Sequence, residues 1–232
     1  MMHRIYNFEL FFRYVFKVKL VNVVPALMVL LCIMIVGAGP VSAQPEIRIL
    51  VLGDSLTAGY GLAEPDSFPA RLEQALRKDG TSVRILNAGV SGDTTAGGRA
   101  RLEWSLAAKP HAVVIELGAN DGLRGLNPKA TEANLDATVL ALKRKGLRVL
   151  MVGMRAPPNL GKNYGKEFNG IFGRIATKHN IALYPFFLEG VATHKNLNQA
   201  DGIHPNEEGV GIIVRKILPY IKRLISQARG AP

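Results

Sequence analysis

From residue 44 onward the chain alternates short apolar runs with stretches of helical period, and this alternation constrains its fold more than any other feature. The runs 47–52, 83–86, 112–117, 147–152 and 181–184 are rich in Val, Ile and Leu, as strands buried on both faces are. Between them apolar residues recur at helical spacing. Phe68, Leu72, Ala75 and Leu76 follow a cap at Asp66-Ser67, and a second helix is expected over 94–108. A third, 131–145, lines up Leu135, Val139 and Leu142 and stops at Gly146. A fourth covers 165–179. The last opens with Asn206-Glu-Glu and carries Val210, Ile213, Ile217 and Leu224, and Pro219 should kink or interrupt it. Strands alternating with helices imply a parallel sheet covered on both faces, an α/β fold in three layers. No repeat, low-complexity tract or linker divides residues 44–232, which read as one domain. With 48% hydrophobic and 20% charged residues among 232, the chain can bury a full core, and the composition excludes a disordered or collagen-like protein.

Residues 1–43 stand apart. Arg4, Arg13, Lys17 and Lys19 flank an apolar run over 20–36, and Val41-Ser-Ala43 offers small residues ahead of Gln44. This is the pattern of a secretory signal cut after Ala43. The alternative is an uncleaved membrane anchor, because the run is nearly long enough to span; Pro25 and the small-residue site favour cleavage. Cys32 is the only cysteine, so neither a disulfide framework nor a Cys-rich zinc site is available. Lys and Arg number 29 against 18 Asp and Glu. Removing the segment's four bases and one acid leaves about +8 on the remaining domain. Those bases are dispersed and not interleaved with aromatics, which excludes a nucleic-acid groove and leaves a solvated surface with weak attraction to anionic membranes.

In an open parallel sheet, ligands bind beyond the carboxyl ends of the strands, so the residues just after each run carry the functional information. They are Gly53-Asp-Ser-Leu56, Asn87-Ala-Gly-Val-Ser-Gly-Asp-Thr94, Gly118-Ala-Asn-Asp121 and, before the last helix, Asp201-Gly-Ile-His-Pro205. Ser55, in a strand-to-helix turn, is a candidate nucleophile, although a lone serine there is more often a turn former. His204 is a candidate base and acid, and Asp201, three residues earlier, can reach back to its other ring nitrogen. His111, His179 and His194 are the competing histidines and read as surface residues. Oxyanion donors are available from the N–H of Ser55, the N–H of Gly92 and the side-chain amide of Asn120. Gly92 suits this because no Cβ obstructs the approach of substrate. Asp54 and Asp121 read as braces of their turns.

These four blocks, in this order, resemble those of the SGNH (GDSL) hydrolases. The resemblance is closest to the bacterial multifunctional thioesterase/arylesterase/lysophospholipase branch, on Ser91-Gly-Asp-Thr94, Glu116-Leu-Gly-Ala-Asn-Asp-Gly-Leu-Arg-Gly125 and Asp201-Gly-Ile-His-Pro-Asn206. It implies a flavodoxin-like sheet of order 2-1-3-4-5 and a monomeric periplasmic enzyme needing no cofactor; separately, no pair of His and acids shows the spacing of metal ligands. It also implies Ser55 as nucleophile, Gly92 and Asn120 as oxyanion donors, and Asp201 and His204 as the dyad.

The chain lacks Gly-x-Ser-x-Gly, a P-loop, Gly-x-Gly-x-x-Gly and His-Glu-x-x-His, so the corresponding hydrolase, nucleotide and zinc sites are without their fingerprints. The expected chemistry is hydrolysis of acyl esters or thioesters through an acyl-serine. A carbohydrate or peptidoglycan O-acetylesterase would share the machinery, and a catalytically silent binding module is the reading from another class. The segment 122–127, with Gly122 and Gly125, is a candidate lid. Leu123 and Leu126 are candidate groove residues, though exposed loop leucines are often mere packing. The segment 154–159 after the fourth strand, including Pro158, is a second candidate wall.

Overall fold

The five apolar runs become five strands of one parallel sheet in the computed structural model, which describes residues 45–230. The segment read as an export signal lies outside the described residues. The strands are β1 (Ile47–Gly53), β2 (Val83–Gly89), β3 (Ala112–Glu116), β4 (Arg148–Val152) and β5 (Ala182–Tyr184), in the order β2-β1-β3-β4-β5. Every residue of β3 is buried, and in β1 only Arg48 is not, as a sheet covered on both faces requires. Gly53 pairs with Gly89 on one side and Glu116 on the other. The carboxyl ends of β2, β1 and β3 therefore finish level, and the turns that follow open on one edge, where the strand order reverses.

The helices are α1 (Ser55–Ala58), α2 (Phe68–Lys78), α3 (Thr95–Ala100), α4 (Leu102–Leu106), α5 (Ala119–Leu123), α6 (Pro128–Arg144), α7 (Lys162–His179) and α8 (Glu207–Arg229). α2 packs against α8, and α6 packs against α7 and α3. Phe68, Leu72 and Leu76 of α2 and Ile213, Ile217 and Ile221 of α8 are buried in the core, each such side chain contributing about 1.5–3 kcal/mol of burial. No helix among the described residues is long and apolar enough to cross a membrane.

Several local expectations are corrected. The helix expected over 94–108 is two helices, broken at Arg101 (φ −96°, ψ 8°). Gly97 and Gly98 weaken helix propagation there, and the Arg101 side chain is held outside the helical ladder by Asp93 and the Gly53 carbonyl. Ser67 occupies the N-cap of α2, but its hydroxyl makes no capping bond, and Asp66 turns instead to Arg71 (Nε–Oδ1 3.1 Å). α8 runs unbroken through Pro219. Proline removes one helical donor, but buried residues on both sides of it, Ile213 and Ile217 before and Ile221 and Leu224 after, keep the two halves on one packed face. α6 begins three residues early because Asn127 caps it, its Oδ1 accepting from the Lys129 N–H at 2.9 Å. β2 continues beyond Leu86 to Gly89.

Candidate active site

Gly53 ends β1 with no room for a side chain, because a Cβ there would lie 2.0 Å from Thr57 Oγ1 and 2.6 Å from Glu116 Oε2. The chain then turns through Asp54, whose Oδ1 accepts the Leu56 N–H at 3.0 Å, and Ser55 begins the single turn of α1. Ser55 Oγ lies 2.9 Å from His204 Nε2, and His204 Nδ1 lies 2.6 Å from Asp201 Oδ2. The second Asp201 oxygen accepts the N–H groups of Ile203 (2.9 Å) and His204 (3.0 Å). The His204 N–H, the His204 ring and the Ile203 N–H together lower the Asp201 carboxyl to about 2. A carboxylate that stays ionised must accept from Nδ1–H, which leaves Nε2 free to accept from the Ser55 hydroxyl.

Around this relay, Tyr60 lies against the His204 ring, with centroids 4.6 Å apart. Gln199 straps the histidine loop in place. Its N–H donates to His204 O (2.8 Å) and its side-chain amide to Tyr60 O (2.7 Å) and Pro205 O (3.0 Å).

Gly92 follows β2 in a left-handed conformation (φ +82°) that favours glycine, and a Cβ there would meet only Arg124 Nη2, at 3.6 Å. Asn120 lies in α5, beyond β3. Its Nδ2 donates to Asp93 O at 2.9 Å and to Asp54 Oδ2 at 3.2 Å, so both amide hydrogens are engaged. Asp121 is buried and braces the same turn, accepting from the Thr95 N–H (2.8 Å), Thr95 Oγ1 (2.6 Å) and Thr131 Oγ1 (3.1 Å).

Two carboxyls beneath the turn are raised chiefly by burial. Asp54 is fully buried and reaches about 6. Glu116, also fully buried, is pushed well above its ordinary value while its Oε2 accepts from Thr57 Oγ1 at 2.6 Å. Among the described residues no group of three or more His, Cys, Asp or Glu is placed to hold a metal ion.

The relay opens on a groove of about 760 Å³ with Ser55, Gly92, Asn120 and His204 in its wall. Leu123, Ile203, Met154, Pro158, Phe186 and Leu188 make it largely apolar. Leu123 and Pro158 are thus groove residues, whereas Leu126 is not part of this lining. The loop folds back there, the Leu126 N–H donating to Asp121 O (3.0 Å) and Tyr164 Oη to Leu126 O (2.8 Å). Arg124 Nη2 donates to Gly92 O at 2.9 Å, so the candidate lid is latched to the Gly92 turn. A second cavity of about 720 Å³, near Asp66, Arg71, Glu73 and Arg77, is walled by charges already paired with one another.

Of the other histidines, His111 and His194 are exposed. His179 is not a surface residue as expected: it is buried where α7 packs on α6, with Nε2 2.7 Å from Asp136 Oδ1. Arg101, Glu116, Gln199 and Tyr60 were not singled out in the sequence. Each supports the site from a segment whose pattern reads as ordinary helix, strand or loop.

Similarity to known proteins agrees with this geometry. An arylesterase of Vibrio mimicus is 42% identical over 187 residues, covering 80% of this chain and 90% of that protein. Thioesterase 1/protease 1/lysophospholipase L1 of Escherichia coli K12 is 36% identical over 179 residues, covering 77% and 85%. The solved structure of the psychrotrophic esterase EstA from Pseudoalteromonas sp., inhibited by monoethylphosphonate, superposes with a TM-score of 0.74 at 34% identity, covering 77% of this chain and 98% of that one. The model of the GDSL-like lipase/acylhydrolase family matches residues 51–212. On that match and those relatives, the chain belongs to the GDSL-like lipase/acylhydrolase family, the SGNH hydrolases.

Proposed function

We propose that this serine esterase works through Ser55, His204 and Asp201 and acts on medium to long acyl esters and thioesters, including aryl esters and lysophospholipids. The observation that carries the reading is the continuous relay Ser55 Oγ–His204 Nε2–Asp201 at 2.9 and 2.6 Å, opening directly onto an apolar groove. Ser55 Oγ attacks the acyl carbon as its proton passes to His204 Nε2, and Asp201 stabilises the imidazolium. The oxyanion is met by the N–H groups of Ser55 and Gly92 and by the Asn120 amide. The longer bond from Asn120, that to Asp54, is the one the oxyanion takes over. His204 then protonates the leaving alkoxide or thiolate. Water, deprotonated by the same nitrogen, releases the acid and restores Ser55.

The apolar wall favours a fatty-acyl chain over the acetyl group that an O-acetylesterase would take. The names of the two relatives support aryl esters, acyl thioesters and lysophospholipids as the substrate range. The basic flank, apolar run and Val41-Ser-Ala43 site support export of a domain beginning at Gln44. We assign it to the periplasm as a monomer, with the domain's excess of bases giving weak attraction to anionic membranes.

The test is hydrolysis of p-nitrophenyl esters from acetyl to palmitoyl, beside Ser55→Ala and phosphonate labelling of the protein. Ser55→Ala should lower kcat by at least about 10³-fold and abolish labelling. A Ser55→Ala protein with ordinary activity overturns the assignment, and a preference for acetyl over octanoyl and longer chains favours the O-acetylesterase.

A further inference from the structure

We propose that Arg101 is a positioning residue for catalysis: its guanidinium ties the turn carrying Ser55 to the turn carrying Gly92, and so sets where the oxyanion donors stand relative to the nucleophile. The proposal rests on the roles assigned above to Ser55, Gly92 and Asn120. Arg101 Nε donates to Asp93 Oδ2 at 2.6 Å, Nη2 to Gly53 O at 2.9 Å and Nη1 to Ser105 Oγ at 3.4 Å.

Gly53 is two residues before the nucleophile, and Asp93 directly follows Gly92. The Asp93 N–H closes the Gly92 turn on Val90 O (3.0 Å), while the Asp93 carbonyl accepts from Asn120 Nδ2 (2.9 Å). One guanidinium therefore touches the Ser55 turn and the Gly92 turn directly, and reaches Asn120 through Asp93. Both side chains of the Arg101–Asp93 pair are only 16% exposed, so solvent and salt screen it less than a surface pair.

The planar fork fixes its donors in one frame. A shift of either turn relative to the other must break a bond. The local backbone fits this role, since the helix expected over 94–108 breaks at Arg101, where the side chain reaches inward. Small displacements of reacting groups are costly: about 1 Å can cost 10²-fold in rate.

In p-nitrophenyl acetate hydrolysis, Arg101→Ala is expected to lower kcat by about 10²-fold while KM stays within about threefold. Phosphonate labelling of Ser55 should slow in parallel. Arg101→Lys keeps the charge but offers a compact ammonium in place of the planar fork, and its kcat should fall between Arg101→Ala and wild type. Circular dichroism and melting temperature separate a fold defect from a defect of alignment. A folded Arg101→Ala with wild-type kcat overturns the proposal, as does a rate loss that appears only in KM. Should Arg101→Ala fail to fold, a folded Arg101→Lys with wild-type kcat overturns it equally. Ser55→Ala in the same assay keeps the two ideas apart. If it remains active, the serine reading itself falls; if it is dead while Arg101→Ala is fully active, only the role of Arg101 is lost.

Discussion

Asp54 sits next to Ser55 and is buried, its carboxyl raised to about 6 chiefly by desolvation. Because the folded protein holds this proton more tightly than the unfolded chain does, Asp54 favours the fold most at low pH. That contribution is lost as the pH rises from about 4 to about 6. Glu116, raised by the same burial, acts in the same sense. Denaturant unfolding at a series of pH values should therefore show stability declining through this range. Asp54→Asn should make the slope shallower by about one proton, or about 1.4 kcal/mol per pH unit. The same variant should lower kcat, because an amide whose oxygen accepts from Leu56 N–H sets its own NH2 against Asn120 Nδ2 and so displaces that proposed oxyanion donor. An unchanged slope would mean that Asp54 holds its proton no more tightly in the fold than in the unfolded chain. At this scale the candidate residues Ser55, His204, Asp201, Gly92 and Asn120, which the structure brings to one groove, were legible as four ordered blocks at strand ends and not one by one. Arg101 and Glu116 were not, since an arginine in a helical stretch and a glutamate ending a strand carry no local mark of burial.

Among the elements, α8 and β2 invite different substitutions. Pro219 is exposed within α8, so Pro219→Ala restores a helical donor and removes a steric conflict at little packing cost. It should raise the melting temperature, with a gain of up to about 3 kcal/mol. Gly89 ends β2 against α1, and a Cβ there would lie 2.3 Å from the Ala58 backbone nitrogen. Gly89→Ala should destabilise the protein by about 1–3 kcal/mol and lower kcat as well, because α1 carries Ser55. Wild-type melting and turnover in that variant would show that the contact yields without moving Ser55. The strands were readable to within a few residues because buried parallel strands are short and apolar. The break at Arg101 and the continuity through Pro219 were not, because side-chain bonding to a distant turn and packing on a distant face decided them.

Across the whole molecule, the groove gathers Tyr60, Leu123, Met154, Phe186 and Ile203 from well-separated segments onto the edge that also holds the relay. Leu123 is 48% exposed in the groove wall, and in the proposed function an acyl chain covers it. Each methylene buried is worth about 0.8 kcal/mol, so kcat/KM should climb as chain length rises from acetyl until the groove is filled. Leu123→Ala should reduce kcat/KM for octanoyl esters several-fold more than for acetyl esters. An equal effect on both would remove Leu123 from the acyl path.

The α/β class, the order of the blocks and the chemical identity of the relay were determined by the sequence alone. Periodicity reports burial directly, and catalytic residue types cluster where parallel strands end. The tertiary structure decided that Leu123 and not Leu126 faces the groove, that His179 is buried against Asp136, and that Arg101 joins two turns. Those outcomes depend on contacts between segments far apart in the chain, and such contacts exist only once the sheet has brought its strand ends level.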